Sequence, residues 1–197
     1  MPKNGDQFIA GLVASLAAEA KTRLGPEEAG ALEPFFAAYY ANVAPRDLAD
    51  TTAQTLFAAA LAHWRFAERR LPNTARVRAY NPNLEADGWK SARTVIEAVT
   101  DDMPFLVDSL AAELSRQGLV AHLVVHPIVT VRRDGDGTTT AAVPRDTDDK
   151  QAKRESFLRA EVTAQNPDRL SAIARDVAKV LDDVRAAVED WAAMRAR

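Results

Sequence analysis

The feature that most constrains this chain is a strand, a helix and a second strand that follow one another with very short links. The first strand, residues 93–100, is short and rich in β-branched side chains. The helix after it carries apolar residues at helical spacing, namely Met103, Leu106, Val107, Leu110 and Leu114. Gly118 suits the left-handed conformation that ends a helix. Because the links are short, we expect a right-handed crossover within one sheet, which predicts an α+β fold.

The second strand is interpreted as one continuous element, residues 120–131. Both of its faces are largely apolar, so both are expected to be covered. The Asp-Gly-Asp-Gly turn at residues 134–137 predicts a hairpin with a return strand at residues 138–143. Residues 144–154 are polar and charged, which is typical of a mobile surface loop. A further strand is predicted for residues 155–163.

The part of the chain before these elements is predicted to be helical, with helices at residues 6–24, 31–42 and 52–70. Their aromatic residues stand at core positions of helical spacing, so packing between helices explains them better than a binding role. A short strand is predicted for residues 75–80. We expect a boundary near residue 72, between a helical segment of residues 1–72 and an α+β unit of residues 73–197.

The last predicted element is a long helix that Asn166 caps and Pro167 begins. Its apolar residues form a heptad pattern of Leu170, Ile173, Val177, Val180, Val184, Ala187, Trp191 and Met194. The helix would be roughly 42 Å long, more than a small sheet covers, so its second half is expected to meet the N-terminal helices or a second copy of the chain. The sequence ends at Arg197 without a capping residue, which predicts that it belongs to a longer chain.

Composition excludes several function classes. The chain has 197 residues, with 25 basic and 28 acidic side chains and no cysteine. No basic face stands out, so nucleic acid is not an expected partner. The lack of cysteine excludes a disulfide framework and suits the cytoplasm. No apolar run approaches the ~20 residues that cross a membrane, and the N-terminus has no signal-peptide pattern.

The sequence offers little support for a metal or cofactor site. His122 and His126 lie four apart on a predicted strand, hence roughly 13 Å from each other, whereas zinc ligands lie about 2 Å from one ion. The acidic turn resembles a calcium loop, but Thr139 and Arg145 stand where that loop needs glycine and an acid. There is no glycine-rich nucleotide motif, so no cofactor is expected in this chain.

The most informative polar residues are Asp101 and Asp102, neighbouring carboxylates where the first strand meets the helix. One interpretation is helix capping, with Pro104 in the first turn. The other is a ligand site, in which free N–H groups of the helix receive a carboxylate and one aspartate receives an ammonium group. The second interpretation predicts that a small effector binds at Thr100, Asp101, Asp102, Met103 and Pro104.

Several segments resemble the N-terminal region of the large bacterial NAD-dependent glutamate dehydrogenases. The strongest is Val-Thr-Asp-Asp-Met-Pro-Phe-Leu-Val-Asp-Ser at residues 99–109, followed by Gln117-Gly118 and by His-Leu-Val-x-His-Pro at residues 122–127. Further similar segments are residues 39–48, 62–66, 76–82 and 88–89. The resemblance covers about residues 35–194.

This resemblance implies an ACT-type regulatory module, a ferredoxin-like β-α-β-β-α-β unit, within an enzyme that uses NAD to convert L-glutamate to 2-oxoglutarate and ammonia. Catalysis in that family belongs to another domain, so this region is expected to be non-catalytic and regulatory or structural. The implied partners are the remainder of the same polypeptide, further copies in a homo-oligomer and an amino-acid effector. The alternative is a purely structural oligomerisation module without a small-molecule site.

One part of the ferredoxin-like unit is not located by the sequence. No strand candidate follows Met194, so the last strand is missing, supplied by residues 75–80, or lost with the rest of a longer chain.

Overall fold

The structure is a computed structural model that describes residues 4–195. Its helices are α1 (Asn4–Arg23), α2 (Pro26–Tyr39), α3 (Pro45–Leu48), α4 (Ala53–Phe66), α5 (Leu84–Asp87), α6 (Leu106–Arg116) and α7 (Pro167–Arg195). Its strands are β1 (Arg76–Tyr80), β2 (Thr94–Asp101), β3 (Ala121–Val125), β4 (Ile128–Arg133), β5 (Thr139–Val143) and β6 (Lys153–Val162). The predicted α+β class, with helices first and a long last helix, is confirmed.

The strands form one six-stranded sheet in the order β1-β2-β6-β4-β5, with β3 also paired to β6. Strand β6 pairs antiparallel with β2 on one side and with β3 and β4 on the other. Strands β2 and β3 therefore run in the same direction, and α6 is the crossover between them, as the short links predict. The predicted hairpin is confirmed as well, since β4 pairs antiparallel with β5.

The single strand predicted at residues 120–131 is wrong, because it divides into β3 and β4. The break falls at His126 and Pro127. Proline has no N–H to give to a strand ladder, so regular pairing stops there. The carbonyl of Pro127 still accepts a hydrogen bond from the N–H of Phe157 at 3.0 Å, so both strands stay aligned along β6.

Strand β2 is the first strand of the ferredoxin-like unit, and β1 lies beside it at the edge of the sheet. It pairs antiparallel with β2, from Arg76 opposite Val99 to Tyr80 opposite Val95, and α7 packs against it. Of the three alternatives for the last strand of the unit, the structure therefore supports its supply by residues 75–80. The strand precedes the rest of the unit in the chain instead of following α7.

Helices cover both faces of the sheet. Helices α1, α2 and α4 pack on the face that carries Val99, Val129 and Phe157. Helices α6 and α7 pack on the opposite face, which carries Ile96 and Leu158. The second face is open at β3, where Val124 is 38% exposed. The boundary proposed near residue 72 stays a prediction.

Helix α7 departs from its predicted heptad pattern in its second half. Ile173 and Val177 are buried, but the next residues in the core are Leu181, Val184 and Val188. A straight helix has 3.6 residues per turn, so a pattern of period 3.5 drifts around its surface and leaves the core. Accordingly, Trp191 is 51% and Met194 66% exposed. The predicted absence of a capping residue at the end of the last helix concerns residues 196–197, which lie outside the residues that the structure describes.

The N-terminal helices differ from their predicted bounds at their ends. Helix α2 begins at Pro26, where the missing N–H costs nothing, five residues before the predicted start. Helix α4 begins after Thr52, whose hydroxyl accepts a hydrogen bond from the N–H of Thr55, and it ends at Phe66. Beyond it, Arg69 pairs with Thr138, so the segment predicted as helix joins the hairpin instead. None of the helices within residues 4–195 has the length and apolar character needed to cross a membrane.

Candidate functional site

The link between β2 and α6 does not have the geometry of a capped helix. Helix α6 begins at Leu106, and Phe105 takes the N-cap position in a left-handed conformation with φ 71°, without a side-chain cap. Asp101 is instead the last residue of β2. The capping interpretation of Asp101 and Asp102, and the first-turn position of Pro104, are therefore wrong. The physical reason is that arginine side chains hold both carboxylates at the strand end.

Asp101 is bound by two arginines from different parts of the chain. Arg70 donates to its Oδ1 at 2.8 Å, and Arg185 of α7 donates to its Oδ2 at 2.7 Å. The backbone N–H of Asn73 also donates to Oδ2, at 3.1 Å. Burial alone would raise the pKa of Asp101, but the hydrogen bonds and charges of Arg70 and Arg185 outweigh it and hold the pKa below its ordinary value. The carboxylate is thus ionised at neutral pH.

Glu155 on the neighbouring strand completes what we call the corner cluster: Arg70, Asp101, Arg133, Glu155 and Arg185. Asp101 and Glu155 are register partners of β2 and β6, so pairing of the strands places two carboxylates side by side. Arg133 donates to both oxygens of Glu155 at 2.8 Å, and Arg70 donates to Oε1 at 2.7 Å. The Glu155 side chain is 1% exposed, and a carboxylate so buried is stable only when cations are bonded to it.

A cavity of about 120 Å³ adjoins the corner cluster. It is lined by Arg70, Pro72, Asp101, Val131, Arg133, Asp134, Gly137, Gln151, Lys153 and Glu155. Arg70 is almost fully buried, and its Nε has no hydrogen-bond partner among the described residues. Asp101 is the more accessible of the two cluster carboxylates, with 27% of its side chain exposed. The cavity holds roughly four water molecules at ~30 Å³ each, and groups of both charges face it.

The structure brings one of the five predicted site residues to this cavity. Asp101 lines it, and the hydroxyl of Thr100 supports it by accepting a hydrogen bond from Arg185 at 2.7 Å. Met103 packs against the core formed with α6 and α7, while Pro104 is exposed. Asp102 belongs to a separate group, in which Arg154 binds it at 2.8 Å. Ligand binding by these five residues stays a prediction.

The group around Asp102 combines an acid, a serine and a histidine, but not in a catalytic order. Ser156 donates to Asp102 at 2.9 Å and lies 3.2 Å from Nε2 of His126. Burial lowers the pKa of His126, and the charge of Asp102 opposes this shift. A catalytic triad needs the histidine between acid and nucleophile. Here the buried Ser156 stands in the middle, so the group links β6 to the residues that directly follow β2 and β3.

The two histidines considered as metal ligands have protein partners. His122 lies 3.2 Å from the hydroxyl of Thr163, and His126 contacts Ser156 as described above. Within the described range, 4–195, no three acidic or histidine side chains are grouped so that they could hold a metal ion.

Sequence interpretation missed four of the five corner-cluster residues: Arg70, Arg133, Glu155 and Arg185. They come from four separate parts of the chain, the segment after α4, β4, β6 and α7, and no local pattern links them. The sequence gives no signal at Glu155 either, because the same face of its strand also carries Lys153, Arg159 and Glu161 and therefore resembles a solvent-exposed face.

Comparison with known proteins gives the chain a context. Residues 35–177 match the family model described as glutamate dehydrogenase, ACT1 domain. An NAD-specific glutamate dehydrogenase of Halomonas elongata is 37% identical over 188 residues, which are 94% of this chain and 12% of that protein. An NAD-specific glutamate dehydrogenase of Pseudomonas aeruginosa is 31% identical over 160 residues, 81% of this chain and 10% of that protein. The chain therefore corresponds to a small part of these relatives.

Proposed function

Since the chain belongs to the glutamate dehydrogenase ACT1 domain family, we propose that it is a non-catalytic regulatory module of an NAD-dependent glutamate dehydrogenase. The parent enzyme, in this proposal, is cytoplasmic, uses NAD and converts L-glutamate to 2-oxoglutarate and ammonia. The names of the two relatives support this reaction for a longer protein that contains such a domain.

The regulatory ligand in this proposal is a small amino acid bound beside the corner cluster. The observation that carries it is the cavity of about 120 Å³ that both carboxylates and guanidinium groups line. A zwitterion needs a carboxylate for its ammonium group and a cation for its carboxylate, close together. Asp101 provides the first, and Lys153, which lines the same cavity, provides the second.

The size of the cavity limits the ligand. Sites for drug-sized molecules have volumes of about 300–1,000 Å³, several times this volume. The cavity therefore favours glycine, alanine or serine over an amino acid with a long side chain, unless the lining residues move. Dinucleotides are too large for it by the same reasoning.

Calorimetric titration of glycine, alanine, serine and glutamate into the purified chain tests the ligand. We expect at least one to bind with a Kd below about 1 mM, equivalent to roughly −4 kcal/mol. Lys153→Met removes a charge from an exposed side chain and should abolish binding without unfolding the protein. Lys179→Met, at a surface position on α7 outside the cavity, is the matched control and should bind normally. If no amino acid binds, or if both variants bind equally, the corner cluster is structural.

The non-catalytic part of the proposal has its own test. We expect the chain alone to show no reduction of NAD with glutamate above the buffer background. Turnover that disappears on mutating a residue of this chain would contradict it.

The alternative function is assembly, as a structural oligomerisation module without a small-molecule site. The specific observation in its favour is the exposure of Phe105, Trp191 and Met194, at 65%, 51% and 66%. Light scattering of the purified chain decides whether copies associate, and the titrations above decide whether a ligand site exists as well.

A further inference from the structure

A groove of about 500 Å³ lies where the end of α1, helix α4, strand β1 and helix α5 meet. We call it the arginine groove. Its apolar lining includes Leu24, Phe57, Leu61 and Phe66. Sites for small molecules have volumes of about 300–1,000 Å³, and this groove falls within that range. It shares no lining residue with the corner cavity.

Guanidinium groups from three elements line the groove. They belong to Arg23 at the end of α1, Arg65 in the last turn of α4 and Arg78 in β1. Arg76 lies beside them, because its guanidinium is 4.7 Å from the centre of the Phe66 ring and that of Arg78 is 4.6 Å from the same ring. Residues two apart on a strand share one face, so β1 directs both side chains toward α4.

Two of these four arginines have acidic partners that offset their charge. Arg23 donates to Glu19 at 2.9 Å, within an exposed pair one helical turn apart. Arg78 donates to the fully buried Glu97 at 2.7 Å. These two arginines therefore shape the groove but add little net charge to it.

Arg65 and Arg76 supply positive charge that no acid offsets directly. Neither forms an ion pair within residues 4–195, and Arg76 donates to a backbone carbonyl of the segment after α4 at 2.6 Å. Burial lowers the pKa of Arg76, and the charges of Arg78 and Arg133 lower it further. Glu68 opposes this shift, but its effect is the smallest of the four. The potential around Arg76 is therefore positive, which favours a bound anion.

Asp87 is the acid in the lining of the groove, and it limits what kind of anion fits. It lies at the end of α5 and forms no ion pair with the arginines of the groove in the described part of the chain. Its Oδ2 accepts a hydrogen bond from the N–H of Asn83 at 2.9 Å. A carboxylate in this position repels a ligand that is anionic along its whole length. It tolerates a ligand whose charge is confined to one end and whose body is neutral.

We propose that the arginine groove binds a small organic anion with a phosphate group or two carboxylates at one end and an apolar body. The anionic end lies at Arg65, beside Arg76 and Arg78, because guanidinium groups pair well with phosphate and carboxylate oxygens. The apolar body lies along Phe57 and Leu61. The groove is separate from the corner cavity, so this site does not depend on the amino-acid ligand proposed there.

Calorimetric titration of the full chain with matched probes tests the class of ligand. Phenyl phosphate combines the anionic end with an apolar ring, inorganic phosphate lacks the ring, and phenol lacks the dianion. We expect saturable one-to-one binding of phenyl phosphate, at least about tenfold tighter than binding of either other probe. Phenylmalonate carries the same ring with two carboxylates, so its Kd relative to phenyl phosphate shows which anionic group the groove prefers.

Three variants locate the binding. Arg65→Gln removes an exposed charge without an ion pair, so the fold should persist while binding of phenyl phosphate weakens about tenfold. Arg175→Gln, at an exposed arginine of α7, is the matched control and should bind normally. Asp87→Asn keeps an oxygen for the N–H of Asn83 but removes the repelling charge, so it should strengthen binding at least about twofold.

Three results would overturn the proposal: no binding of phenyl phosphate, equally tight binding of inorganic phosphate, or equal effects of Arg65→Gln and Arg175→Gln. The arginines at the ends of α1 and α4 would then serve to offset the negative ends of the helix dipoles. Binding that Lys153→Met abolishes and Arg65→Gln leaves intact would also contradict it, because the anion would then occupy the corner cavity.

Discussion

At the scale of single residues, Glu155 holds the corner cluster together. It is bonded to Arg70 and Arg133, and all three side chains are at most 10% exposed. Glu155→Gln removes the negative charge that both guanidinium groups share. We expect the free energy of unfolding to fall by about 3–5 kcal/mol, because a buried charge without its partner is strongly destabilising.

Urea denaturation measures this change, and the chain offers a matched comparison. Asp183→Asn breaks an ion pair to Lys179 in which both side chains are exposed, so its effect should stay below about 0.5 kcal/mol. Similar effects of the two substitutions would show that the corner cluster is not a buried ion-pair network.

A second residue-scale prediction concerns His63, which packs between α2 and the sheet. Burial lowers the pKa of His63 to about 4, and the Tyr39 hydroxyl lies 2.8 Å from its Nδ1. The unfolded chain binds a proton on this side chain near pH 6.5, whereas the folded chain does so only near pH 4. The stability it contributes is therefore complete above pH 6.5 and falls as the pH drops toward 4, by about 2 kcal/mol at pH 5.

Urea denaturation at pH 7.5 and pH 5 tests the role of His63. His63→Phe should remove about 2 kcal/mol of the difference between these two conditions, whatever its effect at neutral pH. Asp101 does not interfere, since its pKa is held below the ordinary range and its contribution is lost only at more acidic pH. An unchanged pH dependence in His63→Phe would contradict the account.

At the scale of elements, α7 divides into a buried part and an exposed part at neighbouring residues. Val184 is 9% exposed and belongs to the core with α6, whereas Ala187, one turn later, is exposed. Val184→Asp should lower the free energy of unfolding by several kcal/mol, because a charge would be desolvated without a partner. Ala187→Asp should change it by less than about 0.5 kcal/mol. Thermal or urea unfolding measures both changes. Equal losses of stability in the two variants would show that Val184 and Ala187 do not differ in burial as described.

The elements were predictable from sequence wherever local chemistry determines them. Asn166 and Pro167 start α7 as predicted, and the Oδ1 of Asn166 accepts a hydrogen bond from the N–H of Asp168 at 3.1 Å. Gly118 has φ 69° after the end of α6, also as predicted. The start of α6 was predicted too early, because distant Arg70 and Arg185 hold Asp101 at the strand end.

The sequence directs attention to the corner of the sheet where the cavity lies, but not to most of the residues around it. The neighbouring carboxylates Asp101 and Asp102 stand at the end of β2, and Asp101 lines the cavity, while ligand binding there stays a prediction. The arginines that pair with Asp101, Arg70 and Arg185, lie 31 and 84 residues away from it. Spacing along a sequence carries no information about contacts at such separations, so only the fold reveals them.

At the scale of the whole molecule, the corner cluster connects the segment after α4 with the sheet and with α7. Arg70 follows α4, whereas Asp101 and Glu155 lie in β2 and β6 and Arg185 lies in α7. If the proposed amino acid binds in the corner cavity and alters these ion pairs, it would act on the contacts among these elements, which is the kind of coupling that the proposed regulatory role requires.

The most direct test of the regulatory role is an NMR titration of the chain, labelled with ¹⁵N, with glycine, alanine and serine. The account predicts saturable shifts for one of them, centred on the amides of Asn73, Asp101, Gly137 and Lys153 around the cavity. Helix α1, which packs mainly on α2 and α4, should shift little. No shift up to millimolar concentrations, or shifts centred on another surface, would contradict an amino-acid site at the corner cluster.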